Sequence, residues 1–230
     1  MSAPRLRLAV ITGGHPFDVL GFHALLHRVC AQDIDAYPQH LEDLAAAPDT
    51  ALQQYDAALF YFFPQAGPRD EAGSRPGAAI AQLLRAGAGL VVWHHALLAY
   101  PRWSVWDEVV GCGGRDAFSF HPGQEVRVAP SPTHAITAQV PGWTMCDETY
   151  VMPEADGAPL LETDCPRSQR RLAWTRQVGT SRVVCLQPGH DHQCWRMPGF
   201  QQVLRGSIRW SARTPVRDLA PDGADRAQRA

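Results

Sequence analysis

The chain has 230 residues, of which 45% are hydrophobic, so it can bury one large core, and its length favours a single domain. Its formal net charge is −2 and it has no basic stripe, so we expect neither nucleic acid nor an anionic membrane as a partner. It contains no lysine, which excludes Schiff-base and P-loop lysine chemistry.

The cysteines and the N-terminal residues indicate a cellular location. Six cysteines are scattered without a CxxC pair, and the first residues lack the apolar region of a signal peptide. No apolar stretch approaches the roughly 20 residues that a membrane span needs. We therefore expect a cytoplasmic protein with reduced thiols.

The first half of the chain alternates strand-like and helix-like segments. Strands are predicted at Arg5–Thr12, Ile34–Tyr37, Ala57–Phe63 (closed by Pro64) and Gly89–Trp93, and helices at Phe17–Cys30 and around Ile80–Leu84 after a polar loop, Gly67–Gly77. This alternation calls for a parallel sheet with right-handed crossovers. The predicted fold is a three-layer α/β/α arrangement with a mostly parallel central sheet.

The second half is less regular. It predicts a helix at Trp103–Val110, strands at Glu125–Val128, Pro159–Thr163, Arg171–Trp174 and Arg182–Gln187, and a closing helix at Phe200–Trp210. We assign residues 1–213 to one domain. Residues 214–230 contain few large apolar side chains, so we expect a disordered tail there.

Histidines follow several of the predicted strands. His15 follows the first strand, His94 and His95 follow the fourth, and His190 and His192 follow the last. In an open α/β sheet, ligands bind outside the carboxyl ends of the strands. Imidazole is suited to proton transfer and to metal binding near neutral pH, so this pattern predicts an active site.

The pair His94-His95 occupies a central strand-to-helix turn, where many α/β enzymes place a nucleophile. Imidazole at this turn, in place of serine or cysteine, favours acid–base or metal chemistry. Adjacent residues of an extended chain point to opposite sides, so we expect only one of the two rings to face the crevice.

Three further segments have open alternatives. The spacing of His190 and His192 suits a metal, but acid–base chemistry without metal and a structural hydrogen-bond network remain open. Asp147 and Glu148 could bind an ion, orient a histidine or act as a base, or belong to a helix start or solvated turn. His121 lies in a predicted loop as either a functional or a solvated side chain.

Seven segments, taken in order, resemble the ThuA-like (trehalose utilisation) family, whose fold is similar to that of flavodoxin and of class I glutamine amidotransferases. They are ITGGH, GLVVWHHA, FHPGQEVRV, PTHAIT, DETY, LAWTRQVGTSRVVCLQPGHDH and GSIRW. The likeness extends from about Arg5 to Ala212. The amidotransferases carry a cysteine at the central turn, so glutaminase activity is not implied here.

The resemblance implies a role in bacterial use of disaccharides such as trehalose and sucrose, through keto-sugar intermediates. A small-molecule carbohydrate is then the expected partner, and a homo-oligomer is left open. A carbonyl acidifies the adjacent C–H bond, so a histidine or glutamate base could enolise such a sugar. A divalent cofactor such as Zn²⁺ or Mn²⁺ is also left open. The alternative is a non-catalytic sugar-binding or regulatory module on the same fold.

The resemblance and the residue types together give the following assignments. The expected catalytic residues are His94, His190, Glu148 and His15. The expected substrate-binding residues are His121, Tyr150, Asp147 and Trp93. If a metal is bound, the expected ligands are His94, His121, His190 and His192. The aromatic residues available to stack on a sugar are Phe62, Phe63, Trp93, Tyr100 and Trp103.

Overall fold

The computed structural model of the chain describes residues 5–63 and 74–214. The strands are β1 (Leu6–Gly13), β2 (Ile34–His40), β3 (Ala57–Phe62), β4 (Gly89–Trp93), β5 (Ser119–Pro130), β6 (Trp143–Val151), β7 (Ala158–Glu162), β8 (Arg171–Val178) and β9 (Ser181–Leu186). The helices are α1 (Val19–Cys30), α2 (Leu41–Ala46), α3 (Asp49–Leu52), α4 (Arg75–Arg85), α5 (Ser104–Val110), α6 (His192–Trp195) and α7 (Pro198–Ser211), with a 3-10 helix at His94–Leu98. Pro64, most of the predicted loop Gly67–Gly77 and the tail from residue 215 lie outside the described residues.

The described strands form one nine-stranded sheet in the order β2-β1-β3-β4-β9-β8-β7-β5-β6. The first five strands of this order are parallel, and every pairing from β9 to β6 is antiparallel. The prediction of a mostly parallel sheet is therefore wrong, because the sheet is mixed. The reason is connectivity. Only Gly179 and Thr180 join β8 to β9, and a two-residue turn can connect antiparallel strands but not parallel ones.

Helices cover both faces of the sheet. Alternate residues of β1 point into two separate apolar clusters, with Leu8 and Val10 on one face and Ala9 and Ile11 on the other. Buried side chains of α1, α6 and α7 join the first cluster, and those of α2 to α5 join the second. The strands β3 and β4 are consequently buried along their whole length, as their continuous apolar sequences predict.

Helix α1 ends at Cys30 as predicted but begins two residues later than the predicted Phe17. Helix α1 begins at Val19 because the Asp18 side chain accepts the backbone N–H of Gly21 at 3.0 Å. Strand β6 and the short helices α2, α3 and α6 have no counterpart in the predicted elements. None of the helices in the two described ranges is long and apolar enough to cross a bilayer.

Arg115 joins the 3-10 helix, the loop after it and α5. Its guanidinium is fully buried and 2.7 Å from the Asp107 carboxylate. It also donates to four backbone carbonyls, those of Leu97, Ala99, Tyr100 and Cys112. A planar group with five N–H donors can satisfy all of these acceptors at once.

Replacing Arg115 by methionine is expected to lower the free energy of unfolding by about 3–5 kcal/mol, because buried acceptors lose their donor. Urea denaturation measures this loss. Arg127→Met is the matched control: Arg127 pairs with Asp164, but both side chains are exposed, so unfolding should stay unchanged. Equal behaviour of the two variants would contradict the structural role of Arg115.

Candidate functional site

The candidate site lies at the carboxyl ends of the parallel strands. His15 follows β1, Phe63 follows β3, and His94 and His95 follow β4. His190 lies four residues beyond β9. Because β1, β3, β4 and β9 are parallel and adjacent, their carboxyl ends meet at one edge of the sheet.

His94 turns the chain sharply at the end of β4. Its φ is +53°, a left-handed conformation that is uncommon outside glycine, and the 3-10 helix begins at this residue. The rings of His94 and His95 consequently lie side by side, with centroids 4.4 Å apart, and both are buried. The expectation that only one ring faces the crevice fails, because it assumed an extended chain.

Three ligand-type atoms form a small triangle at this edge. His94 Nε2 is 3.1 Å from His190 Nδ1. Glu148 Oε1 is 3.6 Å from the first of these nitrogens and 3.5 Å from the second. One ring nitrogen of His95 completes a group of four candidate ligand atoms within 4.8 Å of one another. The structure thus brings together His94, His190 and Glu148, as the sequence predicts.

The carboxylate reaches the triangle on a two-stranded arm, formed by β5 and β6. Only Ala129 and Pro130 of β5 pair with the rest of the sheet, whereas the strand pairs with β6 over most of its length. Glu148 and Tyr150 lie two residues apart on β6, so their side chains share one face. Tyr150 Oη is 2.8 Å from His94 Nε2. This segment is therefore a strand, and not a helix start or a solvated turn.

The loop that carries His190 is fixed by hydrogen bonds to buried side chains. Asp147 accepts the backbone N–H of Gly189 at 2.6 Å and that of His190 at 3.0 Å. Trp93 donates its indole N–H to the Pro188 carbonyl at 2.8 Å, and Tyr61 donates its hydroxyl to the His190 carbonyl at 2.7 Å. These contacts orient the imidazole of His190.

Asp147 and Trp93 were expected to bind substrate, but both are buried and occupied by this loop. Burial raises the pKa of Asp147, and His94 together with the backbone donors opposes this rise. In this structure the two side chains position His190 and present no free surface to a ligand.

The tautomer of His94 follows from its hydrogen bonds. His94 Nδ1 is 2.5 Å from the Gln187 carbonyl oxygen, which can only accept, so Nδ1 carries the proton. The other ring nitrogen, Nε2, then faces Tyr150, Glu148 and His190. The side-chain oxygen of Gln187 also accepts the backbone N–H of Tyr150 at 3.3 Å, which joins the arm to the end of β9.

Burial and mutual interactions set the charges of the cluster. Burial, followed by the neighbouring His94, lowers the pKa of His95 and of His190, so both imidazoles are neutral near pH 7. Burial alone would raise the pKa of Glu148, but hydrogen bonding and charge from the histidines hold it below its usual value. Burial and the Glu148 carboxylate raise the pKa of Tyr150. The site therefore combines the neutral imidazoles of His95 and His190 with an ionised carboxylate and a neutral phenol.

His15 lies above this group. Its ring stacks on His95, with centroids 3.8 Å apart, and meets His190 edge-on at 5.9 Å. Its Nδ1 is buried and has no hydrogen-bond partner within residues 5–63 and 74–214. His15 thus joins the cluster by ring packing and keeps one nitrogen available.

Two of the predicted histidines lie elsewhere. The cluster of candidate ligands in the described part of the chain contains neither His121 nor His192. His121 lies on β5, where its Nε2 is 3.3 Å from Ser119 Oγ, and His192 is the exposed first residue of α6. The extended His-x-His geometry that suggested a shared ion is absent, because α6 begins at His192.

Sequence reasoning missed two exposed aromatic residues. Phe118 and Phe120 precede His121, and the Phe118 ring contacts Tyr150 with centroids 6.2 Å apart. Of the five aromatic residues predicted to stack on a sugar, four are buried: Phe62, Trp93, Tyr100 and Trp103. Phe63 is half-buried and stacks on His95. The alternation in Phe118-Ser119-Phe120 is the signal that could have found the exposed pair.

No cysteine occupies the turn after β4. Cys185 lies within β9 and Cys194 within α6, and burial raises the pKa of both thiols. These thiols are protonated and enclosed, so hydrolysis through a cysteine nucleophile finds no support at this site.

Comparisons with known proteins agree with this fold. A family model described as trehalose utilisation (ThuA) matches residues 24–211. Among solved structures, a protein of Parabacteroides merdae described as ThuA-like has a TM-score of 0.76 and 15% identity, covering 95% of this chain and 94% of that chain. A cytoplasmic protein of Salmonella typhimurium LT2 has a TM-score of 0.62 and 16% identity, covering 92% of this chain and all of the other.

A β-galactosidase from Rahnella sp. R3 is also similar, with a TM-score of 0.54 and 13% identity over 87% of this chain and 31% of the enzyme. At these identities the structural likeness shows the fold alone. The search of curated proteins gives no match.

Proposed function

Because the chain belongs to the ThuA family of trehalose utilisation, we propose that it is an enzyme that acts on a keto-sugar derived from a disaccharide such as trehalose or sucrose. The chemistry is acid–base catalysis by histidine and carboxylate side chains. The observation that supports it is the triangle of His94, Glu148 and His190, with atoms from three separate segments within 3.6 Å of one another.

A keto-sugar suits these groups because its carbonyl acidifies the adjacent C–H bond. A base removes that proton, the electron pair of the bond moves into the C–C–O system, and the carbonyl oxygen becomes an enolate. Two groups can act as the base: the ionised Glu148, and His15 through its unpartnered Nδ1. The neutral phenol of Tyr150 can donate a hydrogen bond or a proton to the enolate oxygen.

Three outcomes follow from the same enolate. A proton returned to the original carbon from the other face gives an epimer. If the enolate oxygen takes up a proton and the hydroxyl on the original carbon gives up its own, a proton added to the former carbonyl carbon leaves a carbonyl on the original carbon and gives an isomer. Expulsion of an oxygen substituent from the next carbon gives elimination of a glycoside. A divalent ion such as Zn²⁺ or Mn²⁺ held by the same cluster would supply a Lewis acid for the carbonyl oxygen.

The arm supplies surfaces that can bind the rest of the sugar. Phe118 and Phe120 offer exposed aromatic faces next to Tyr150, and the C–H face of a sugar ring packs against such surfaces. His121 lies next to Phe120 on β5 and is proposed as a hydrogen-bonding group for sugar hydroxyls. These residues would bind the non-reacting part of the substrate.

The proposal is tested with a panel of 3-keto-glycosides incubated in D₂O, with and without added Zn²⁺ or Mn²⁺. Enolisation predicts deuterium incorporation at the carbon next to the carbonyl, followed by NMR, together with formation of a product. Thermal stabilisation by a sugar without deuterium exchange would support the binding-module alternative. If no compound of the panel shows deuterium exchange, product formation or binding, the proposed function is wrong.

A further inference from the structure

We propose that His94 Nε2, His190 Nδ1 and Glu148 Oε1 are the protein ligands of one zinc-like divalent cation, with the ring of His95 beside it. The argument rests on the geometry of the cluster and on its supporting hydrogen bonds. It does not depend on the sugar chemistry, since ion binding is measured without any sugar.

The spacing of the three atoms fits tetrahedral coordination. Ligand atoms bound at 2.0–2.1 Å in a tetrahedral site lie about 3.4 Å from one another. The three edges of the triangle measure 3.1, 3.5 and 3.6 Å. A cation could therefore bind all three atoms after shifts of only a few tenths of an ångström. Two imidazoles and one carboxylate are also a ligand set found in catalytic zinc sites.

Each ligand is oriented by a second group, as metal ligands usually are. The Nδ1–H of His94 donates to the Gln187 carbonyl, which leaves Nε2 free to bind a cation. The backbone of His190 is held by Asp147. Tyr150 Oη is 2.8 Å from His94 Nε2 and shares one strand face with Glu148, so its phenol is placed to support the carboxylate when Nε2 binds an ion.

The triangle can be reached from solvent on one side. The side chain of His94 is fully buried, that of Glu148 is 11% exposed and that of His190 is 30% exposed. Three protein ligands with an accessible fourth position are typical of catalytic zinc sites, in which water or substrate takes that position. The ring of His95 lies near enough to be the alternative fourth ligand.

This ligand set differs from the one expected from sequence. It keeps His94 and His190, adds Glu148, and leaves out His121 and His192. If the proposed function also holds, Glu148 is occupied as a ligand, and His15 is then the residue available to remove the C–H proton.

The test uses full-length protein purified without a histidine tag, stripped with a chelator and titrated with Zn²⁺ by calorimetry. We expect one equivalent per chain, and a visible Co²⁺ spectrum of the tetrahedral type. Glu148→Gln and His190→Ala should each weaken Zn²⁺ binding by at least about 100-fold. His23→Ala, which removes an exposed imidazole from α1, is the matched control and should bind as wild type does.

His192→Ala separates the two ligand sets, because it should leave binding unchanged only if the ligands are those of the triangle. Circular dichroism and thermal melts establish that each variant is folded. If Glu148→Gln fails to fold, the Co²⁺ spectra of the wild-type chain and of His192→Ala still separate the two ligand sets, because His192 belongs to only one of them. Stoichiometric loss in His192→Ala, wild-type affinity in both triangle variants, or no binding by the wild-type chain would overturn the inference.

Discussion

Replacing His94 by asparagine is expected to lower kcat/KM for a keto-sugar substrate by about 10²- to 10⁴-fold, the usual contribution of one positioned acid–base group. Asparagine tolerates the left-handed conformation at this position, where φ is +53°. Its amide N–H can replace His94 Nδ1 as the donor to the Gln187 carbonyl. The variant thus removes Nε2 while it retains the local backbone and its main hydrogen bond.

Steady-state kinetics, with a thermal melt for each variant, measure this effect. His27→Asn is the control, because His27 is an exposed histidine on α1 far along the chain from the cluster. The more drastic His94→Ala and His190→Ala should also remain folded and lose turnover. Wild-type kinetics in the folded asparagine variant would show that the reaction occurs elsewhere.

Replacing Gly189 by alanine is expected to lower the free energy of unfolding by about 3–5 kcal/mol. Its φ is +115°, which costs an alanine about 1–3 kcal/mol, and overpacking adds a similar amount. An added Cβ would lie 2.2 Å from Trp93 Nε1, in the contact that fixes this loop. Urea denaturation measures the loss, and turnover should fall as well because His190 follows directly.

Gly179→Ala is the matched control for backbone strain alone. Gly179 also has a positive φ, +54°, but an added Cβ would meet no atom within 4 Å in the described structure. This variant should lose only about 1–2 kcal/mol, the cost of a left-handed residue. If both variants lose the same amount, the close packing of Trp93 against Gly189 is not what stabilises the loop.

Some of the fold follows directly from the sequence. The apolar runs that form β1, β3 and β4 predict buried parallel strands, and the histidines after β1, β4 and β9 predict the position of the site. His94 and His190 meet there because the carboxyl ends of β4 and β9 are neighbours in the sheet. These predictions depend on local pattern and on general rules of α/β topology, so one sequence suffices for them.

Other features depend on contacts that no local pattern describes. The antiparallel order from β8 to β6 places β7 beside β5, which no local pattern predicts. The mixed burial of β6 conceals that strand, whereas parts of β5, β7 and β8 are predicted from the sequence. Glu148 could not be assigned to a strand because only half of β6 is fully buried. His94 and His95 both join the cluster because the backbone of His94 is left-handed. A histidine is not a residue type that predicts this conformation, so the sequence does not indicate it.

The residues of the candidate site come from two parts of the fold, the sheet body and the arm formed by β5 and β6. The sheet body contributes His94, His95 and His190, whereas the arm contributes Glu148, Tyr150 and the exposed phenylalanines. Phe118 and Phe120 are exposed and belong to neither apolar cluster, so these two side chains can be exchanged without repacking the core, whereas Tyr150 is buried in one of the clusters. If the proposed function holds, substrate preference can diversify through these two positions, while the imidazoles stay anchored in the sheet body.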